Sequence, residues 1–148
     1  MKKRILVWAL LLTIGVSTAF ANNAEGVSDK VISSFKKEFA EARDIQWEKS
    51  KEYVKATFSL NDQVMFAYYS EEGKLLAVTR NLVSGQLPIN LLTDVKKNYS
   101  GYWITQLFEI AMDTENSYYI TLENENLTIV LKSAGADGWE LFKKDKKQ

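Results

Sequence analysis

The carboxylates are the residues of this chain whose types and spacing first suggest chemistry. Asp113, Glu115, Glu123 and Glu125 fall close together, and Glu71-Glu72 forms a second acidic step. A glycosidase needs two carboxylates at a defined separation, one with its pKa raised by burial. These acids fall in expected turns and at outward strand positions, where water keeps a carboxylate ordinary, so they read as solvated surface charge. A calcium loop needs oxygen ligands at alternating positions around a glycine. Asp113-Thr114-Glu115-Asn116 lacks that pattern, and Glu123-Asn124-Glu125-Asn126 reads as a hairpin tip. The chain has no His and no Cys, which removes imidazole bases, His-based triads, thiol nucleophiles, disulfides and thiolate metal sites. No Gly-x-Ser-x-Gly elbow or phosphate-cradling glycine loop occurs. The residues therefore nominate no catalytic group, no metal and no cofactor, and the expectation is a non-enzyme.

The aromatics carry more information. Beyond the first segment stand Trp47, Trp103 and Trp139 with all seven Tyr. Most must build the core of a small domain. Tyr53, Lys55, Thr57, Tyr119 and Thr121 fall at strand positions opposite in parity to the apolar sets, together with either Tyr68 or Tyr69. Two roles fit such residues: aromatic pairing across strands that stabilises the sheet, or a Tyr-rich contact surface, since Tyr is enriched at interfaces.

The elements that position them begin after a leader. Met1-Lys2-Lys3-Arg4 is a positive start, Ile5 to Val16 is largely apolar, and Ala19-Phe20-Ala21 has the small-x-small form of a cleavage site. The apolar run is short for a spanning helix and no Cys follows it, so the expectation is a cleaved signal peptide over 1–21 and not a lipoprotein. Residues 22–148 then form a single domain, periplasmic or secreted, that does not touch the membrane. Lys2, Lys3 and Arg4 leave with the leader and no acid does, taking 19 basic residues to 16 against 19 acids, a net −3. Such a balance gives no footprint for nucleic acid. The Lys143-Lys144-Asp145-Lys146-Lys147 run reads as a solvated tail.

Ser28-Asp29 followed by Val31, Ile32, Phe35 and Phe39 predicts a helix. Leu91, Leu92, Val95 and Tyr99 repeat that phase sixty residues later, with Pro88 in the first turn. After each helix the period becomes alternating. Val54, Ala56 and Phe58 share one parity, as do Tyr118, Ile120 and Leu122, with Lys55, Thr57, Tyr119 and Thr121 on the other. Further strands are predicted at Ile45 to Trp47, Gln63 to Tyr69, Lys74 to Leu82, Ile104 to Phe108, Asn126 to Lys132 and Trp139 to Phe142. The facing of 63–69 stays open because both parities are apolar. Glu72-Gly73 and Asp137-Gly138 mark turns. The expected fold is α+β: two tandem helix-plus-antiparallel-strand repeats, about 28–82 and 88–143, forming one continuous antiparallel sheet with both helices on one face.

Phe35-Lys36-Lys37-Glu38-Phe39, Ala42, Trp47, the Tyr69-Ser70-Glu71-Glu72-Gly73 turn, Leu87-Pro88 and Tyr99 together resemble the PepSY-like family of small exported bacterial proteins, also called β-lactamase-inhibitor-like. The resemblance spans about Ser28 to Phe142. It implies a tandem α/β repeat whose concave sheet binds a partner, as the structurally similar β-lactamase inhibitory proteins do, and it brings no active site. The expected function is a non-enzymatic exported binding module docking on another exported protein, and inhibiting or modulating it, through the open sheet face with Tyr53, Lys55, Thr57, Tyr119 and Thr121. The alternative is a periplasmic carrier of a small ligand or glycan in an aromatic-lined pocket. The leader reading predicts that intact-mass analysis of exported protein finds a chain beginning at Asn22. Full-length chain retained in the inner membrane is the opposing result.

Overall fold

The computed structural model describes residues 24–113 and 115–148. The leader expected over 1–21 lies outside the described residues. Helix α1 spans Asp29–Glu38 and is followed by strands β1 (Arg43–Lys49), β2 (Val54–Leu60), β3 (Gln63–Tyr69) and β4 (Leu75–Asn81). A short 3-10 turn at Ser84–Gln86 leads to helix α2 (Ile89–Asn98) and strands β5 (Trp103–Met112), β6 (Glu115–Glu123), β7 (Leu127–Ala134) and β8 (Glu140–Lys146). All eight strands form one antiparallel sheet in chain order, so every neighbour in sequence is a neighbour in space.

Local chemistry explains each helix. The Ser28 hydroxyl accepts from the Val31 N–H at 3.4 Å, Asp29 sits in the first turn, and Lys36 and Lys37 sit in the last. A capped start with an acid there and bases at the other end suits the helix dipole. In α2 the Pro88 residue is the N-cap itself, one step earlier than the first-turn placement expected, and its carbonyl accepts from Leu92 at 3.0 Å. Lys96 and Lys97 close that helix as Lys36 and Lys37 close α1.

Directly opposed residues of an antiparallel ladder share a face. Ala56, Ala67, Val78 and Ala111 oppose one another in turn, and Leu107, two pleats along β5, opposes Ile120. Val31 and Phe35 of α1 pack on Val54, Ala56, Phe58, Ala67 and Tyr69, and Leu91 and Val95 of α2 pack on Leu107, Ile120, Leu122 and Leu131. Both helices therefore cover the same side of the sheet. The open question of β3 is also answered: Met65, Ala67 and Tyr69 face α1, while Phe66 and Tyr68 face away.

The helix-side core under α1 is aromatic. Phe35 meets Phe58 edge-on at 4.9 Å and Trp47 edge-on at 5.2 Å between ring centres, and Phe39 at a 40° tilt and 5.3 Å. Phe39 is the C-cap of α1 and only partly buried. Tyr69 has no exposed surface, and its hydroxyl has no hydrogen-bond partner among the described residues.

In each half, the hairpin after the third strand reaches back to its helix. Ser28 donates to the Glu71 carbonyl at 3.0 Å, and Gly73, at φ +86°, lies against α1 so closely that a Cβ there would sit 2.7 Å from the Lys30 carbonyl oxygen. At the other helix the Asn90 amide donates to the Ala136 carbonyl, and the Trp139 indole N–H donates to the Leu91 carbonyl at 3.0 Å.

Three expectations need correction. The lysine run read as a solvated tail is largely strand: Lys143 to Lys146 belong to β8 and pair with β7. Strand β5 continues past Phe108 to Met112, because Glu109, which breaks the apolar alternation, is paired with Arg80 at 2.7 Å on the neighbouring strand. Trp139 precedes β8 and plugs the start of α2 instead of lying in the strand.

The core analysis predicts that Phe35→Ala costs roughly 3–5 kcal/mol in a denaturant titration, while Lys36→Gln changes little because that side chain is exposed. Gly26 shares the positive φ of Gly73, at +83°, but a Cβ added there would meet nothing within 4 Å. Gly73→Ala should therefore cost more than Gly26→Ala, which bears only the dihedral strain of about 1–3 kcal/mol. Equal losses would mean that the hairpin tip does not press on α1. Tyr69→Phe removes the unpaired hydroxyl and should raise stability by about 1 kcal/mol; a loss of that size would reveal a partner for the hydroxyl in solution.

Candidate functional site

The side of the sheet away from the helices gathers the residues singled out in the sequence. Tyr53 precedes β2, Lys55 and Thr57 lie on β2, and Tyr119 and Thr121 lie on β6, all facing away from α1 and α2. The parity argument placed them correctly. Their accessibility did not follow: Tyr53 (5% exposed), Lys55 (8%), Tyr119 (2%) and Thr121 (8%) are buried, and Thr57 alone is partly exposed.

Specific contacts go with that burial. Tyr119 stacks on Phe108 at 5.2 Å and receives the edge of Phe142 at 5.4 Å. Tyr53 meets Tyr68 edge-on at 5.2 Å. The Lys55 ammonium pairs with the Glu48 carboxylate at 2.7 Å, which keeps a buried cation from being unpaired. Thr121 donates to the Gln106 side-chain oxygen at 3.4 Å. Lys132 pairs with Glu115 at 3.4 Å and holds its ammonium 5.9 Å from the centre of the Tyr119 ring. Burial and then the nearby Glu115 carboxylate push the Tyr119 hydroxyl up to about 12. Burial also raises the Tyr53 hydroxyl, followed by Glu48 and Glu52, against a smaller opposing hydrogen bond with Ser50.

The two groups sit on one surface but not in one cluster. Lys55 and Tyr53 lie towards β1, and Tyr119 and Thr121 lie on the far side of β3, β4 and β5. Between them stand Tyr68 on β3, one of the two tyrosines between which the sequence leaves the choice open, and residues that the sequence does not single out: Phe66 on β3, Ala77 and Thr79 on β4, and Phe108, Ile110 and Met112 on β5. The Phe108-x-Ile110-x-Met112 alternation was a usable signal for three of them, had β5 been carried beyond Phe108.

The acidic residues are dispersed. Glu115 and Glu123 stand at opposite ends of β6, some 27 Å apart at a strand's rise of about 3.4 Å per residue. Glycosidase carboxylates are separated by about 5–10 Å. Glu123 is held below the usual carboxylate range by hydrogen bonds from Lys147 and Thr105. Glu71 pairs with Lys49 at 2.9 Å. Among the described residues no three acids are grouped in a way that would hold a metal ion. Ser33 and Ser34 precede Lys36 and Lys37 by three residues along α1, a spacing used by some acyl-transfer enzymes, but Ser33, Lys36 and Lys37 are exposed, so neither lysine of the motif is desolvated as a base requires. A cleft beside the start of β1 is lined by Glu41, Arg43, Asp44, Ser59, Asn61 and Asp62, a polar set quite unlike an aromatic-lined carrier pocket. No helix among the described residues is long and apolar enough to cross a membrane.

No protein-family profile matches the chain, and no curated protein matches it. Solved structures do. A DUF2874 family protein from Bacteroides ovatus superposes with a TM-score of 0.70 at 16% identity, covering 80% of this chain and 86% of its own. A protein from Bacteroides eggerthii, assigned provisionally to the periplasm, gives a TM-score of 0.70 at 13% identity over 81% of this chain and 88% of its own. A BLIP-like protein from Bacteroides fragilis gives 0.70 at 17% identity over 80% and 85%. At such identities the likeness is one of fold: this chain has the α+β, BLIP-like arrangement of two helices on an open eight-stranded antiparallel sheet.

Proposed function

We propose that the chain is a non-enzymatic, exported binding module of the PepSY-like kind, built of two tandem repeats over about 28–82 and 88–143 behind a cleaved leader at 1–21. It docks on another exported protein through the sheet face turned away from the helices and modulates that protein by occlusion. The observation that carries this reading is the composition of that face: a cluster of aromatic and aliphatic side chains running from Tyr53 across β3 to β8 on the side that neither helix covers, partly exposed at Phe66, Met112 and Phe142. The likeness in fold to a BLIP-like protein and to a provisionally periplasmic one agrees with it.

Burial divides the labour on the face. Tyr53, Lys55, Tyr119 and Thr121 act as its frame, and the partner meets the partly exposed Thr57, Phe66, Met112 and Phe142. Residues that are already packed lose little freedom on binding, which lowers the entropic cost of docking. The carrier alternative has less in its favour, because the cleft beside β1 is lined mainly by polar side chains.

The experiment compares residues of the two kinds. Tyr119→Ala should destabilise the protein by about 3–5 kcal/mol, as loss of a buried ring does. Thr57→Arg combined with Phe66→Glu should leave the far-ultraviolet spectrum unchanged and abolish capture of the proteins that the wild-type mature chain retains from periplasmic extract. Capture of the same proteins by the folded double variant would move the docking site off this face.

A further inference from the structure

The final lysine run forms the outermost strand of the sheet. Strand β8 pairs with β7 on one side only, and among the described residues no strand lies along its other edge, which Leu141, Lys144 and Lys146 border. Such an edge is a template for another extended chain unless something blocks it. It contains no Pro. Leu141 opposes Leu131 and is 64% exposed, and Lys144 and Lys146 oppose Ile129 and Leu127, all on the helix side of the sheet. Lys144 and Lys146 are exposed and form no ion pair among the described residues, whereas Lys143 is paired with Asp145 at 2.8 Å and Lys147 with Glu123 at 2.6 Å. The edge thus offers a backbone ladder, one apolar contact and two uncompensated cations in a single row. At the opposite edge, β1 mixes Arg43 and Lys49 with Asp44 and Glu48 and has no such bias.

We propose that the β8 edge accepts an extended acidic segment of a partner protein by strand addition, with two carboxylates at alternate positions against Lys144 and Lys146 and an apolar side chain against Leu141. Backbone hydrogen bonds supply the attachment, and the alternating side chains supply the selection. Charge also decides against a second copy of the chain. Two β8 strands paired antiparallel about Asp145 would set Lys144 against Lys146, an unfavourable arrangement for directly opposed like charges. The surface is separate from the helix-free face, so this proposal stands whether or not that face docks.

The probe is a fluorescent acetylated peptide, Thr-Glu-Thr-Glu-Thr-Val-Thr, followed by anisotropy with the mature chain at low salt. Binding is expected, with a loss of about tenfold or more for Lys144→Glu combined with Lys146→Glu, a smaller loss for Leu141→Thr, and weakening as salt rises. Replacing the second Thr of the peptide, which stands between its two Glu, by Pro should abolish binding, because a ladder position loses its N–H. Circular dichroism of each variant checks that β8 remains folded. Equal binding of the Pro peptide would overturn strand addition, and equal competition by oligothymidylate would overturn the choice of an acidic peptide. No binding by wild type, together with self-association of Lys144→Thr, Lys146→Thr, would show that the lysines only guard the edge, and would also overturn the proposal.

Discussion

The register of one unbroken antiparallel ladder governs this molecule. Opposed residues share a face, so the pairing from β1 to β8 assigns nearly every sheet side chain to one of two sides. Two short helices then claim a single side, and a slip of one residue in β2 would exchange Val54, Ala56 and Phe58 for Tyr53, Lys55 and Thr57 beneath α1. The buried Lys55 would meet an aromatic core without Glu48, and that conflict fixes the register more firmly than apolar content alone. The irregular steps in the ladder, at Arg43/Gln46, Tyr68/Tyr69, Ile104/Gln106 and Val130/Leu131, let individual strands bend without interrupting the pairing.

Holding the helices on that side requires more than their narrow apolar stripes. Each has ten residues, too few to be stable alone in water. The hairpin contacts answer this need. Ser28 serves twice, capping α1 through Val31 and donating to Glu71, so helix start and hairpin tip are fixed by one side chain. Gly73 permits the close approach that this shared position requires. At α2, where Pro88 offers no capping side chain, Asn90 donates to the Ala136 carbonyl and the Trp139 indole donates to the Leu91 carbonyl, which ties the 134–139 segment to the helix instead. Each hydrogen bond contributes only about 1 kcal/mol, but together they convert a marginal helix into part of the sheet's long-range structure.

This division explains what could be read from the sequence. Helix phases, the Glu72-Gly73 turn and the parity of β2 and β6 depend on neighbours a few residues away, and all were legible. The limits of β5 were not, because Glu109 reads as a terminator until Arg80, twenty-nine residues earlier, is seen to pair with it. Strand β8 was hidden for a similar reason: consecutive lysines resemble a tail unless β7 is known to supply the ladder. Burial at the candidate site was the least legible feature. Alternation states which side Tyr119 faces, but its contacts with Phe108 and Phe142 depend on two other strands and on rings that no local pattern links.

The same logic separates stability from recognition on the helix-free side. Tyr53, Lys55, Tyr119 and Thr121 were first attractive because they are polar or amphipathic at positions facing away from the helices. Their partners within the sheet, Tyr68, Glu48, Phe108 and Gln106, already satisfy them. A group so engaged has little left to offer a second protein, and exchanging its internal contact for an external one yields small net free energy. Selectivity for a partner must then come from neighbours that still expose surface to water. On the broad face these are Thr57, Phe66, Met112 and Phe142; on the outer strand they are Leu141, Lys144 and Lys146. The first set suits a shape-matched apolar contact, whose strength depends on area, and the second suits a charge-selected backbone contact, whose strength depends on salt. Ionic strength therefore distinguishes binding at one surface from binding at the other without any change to the protein.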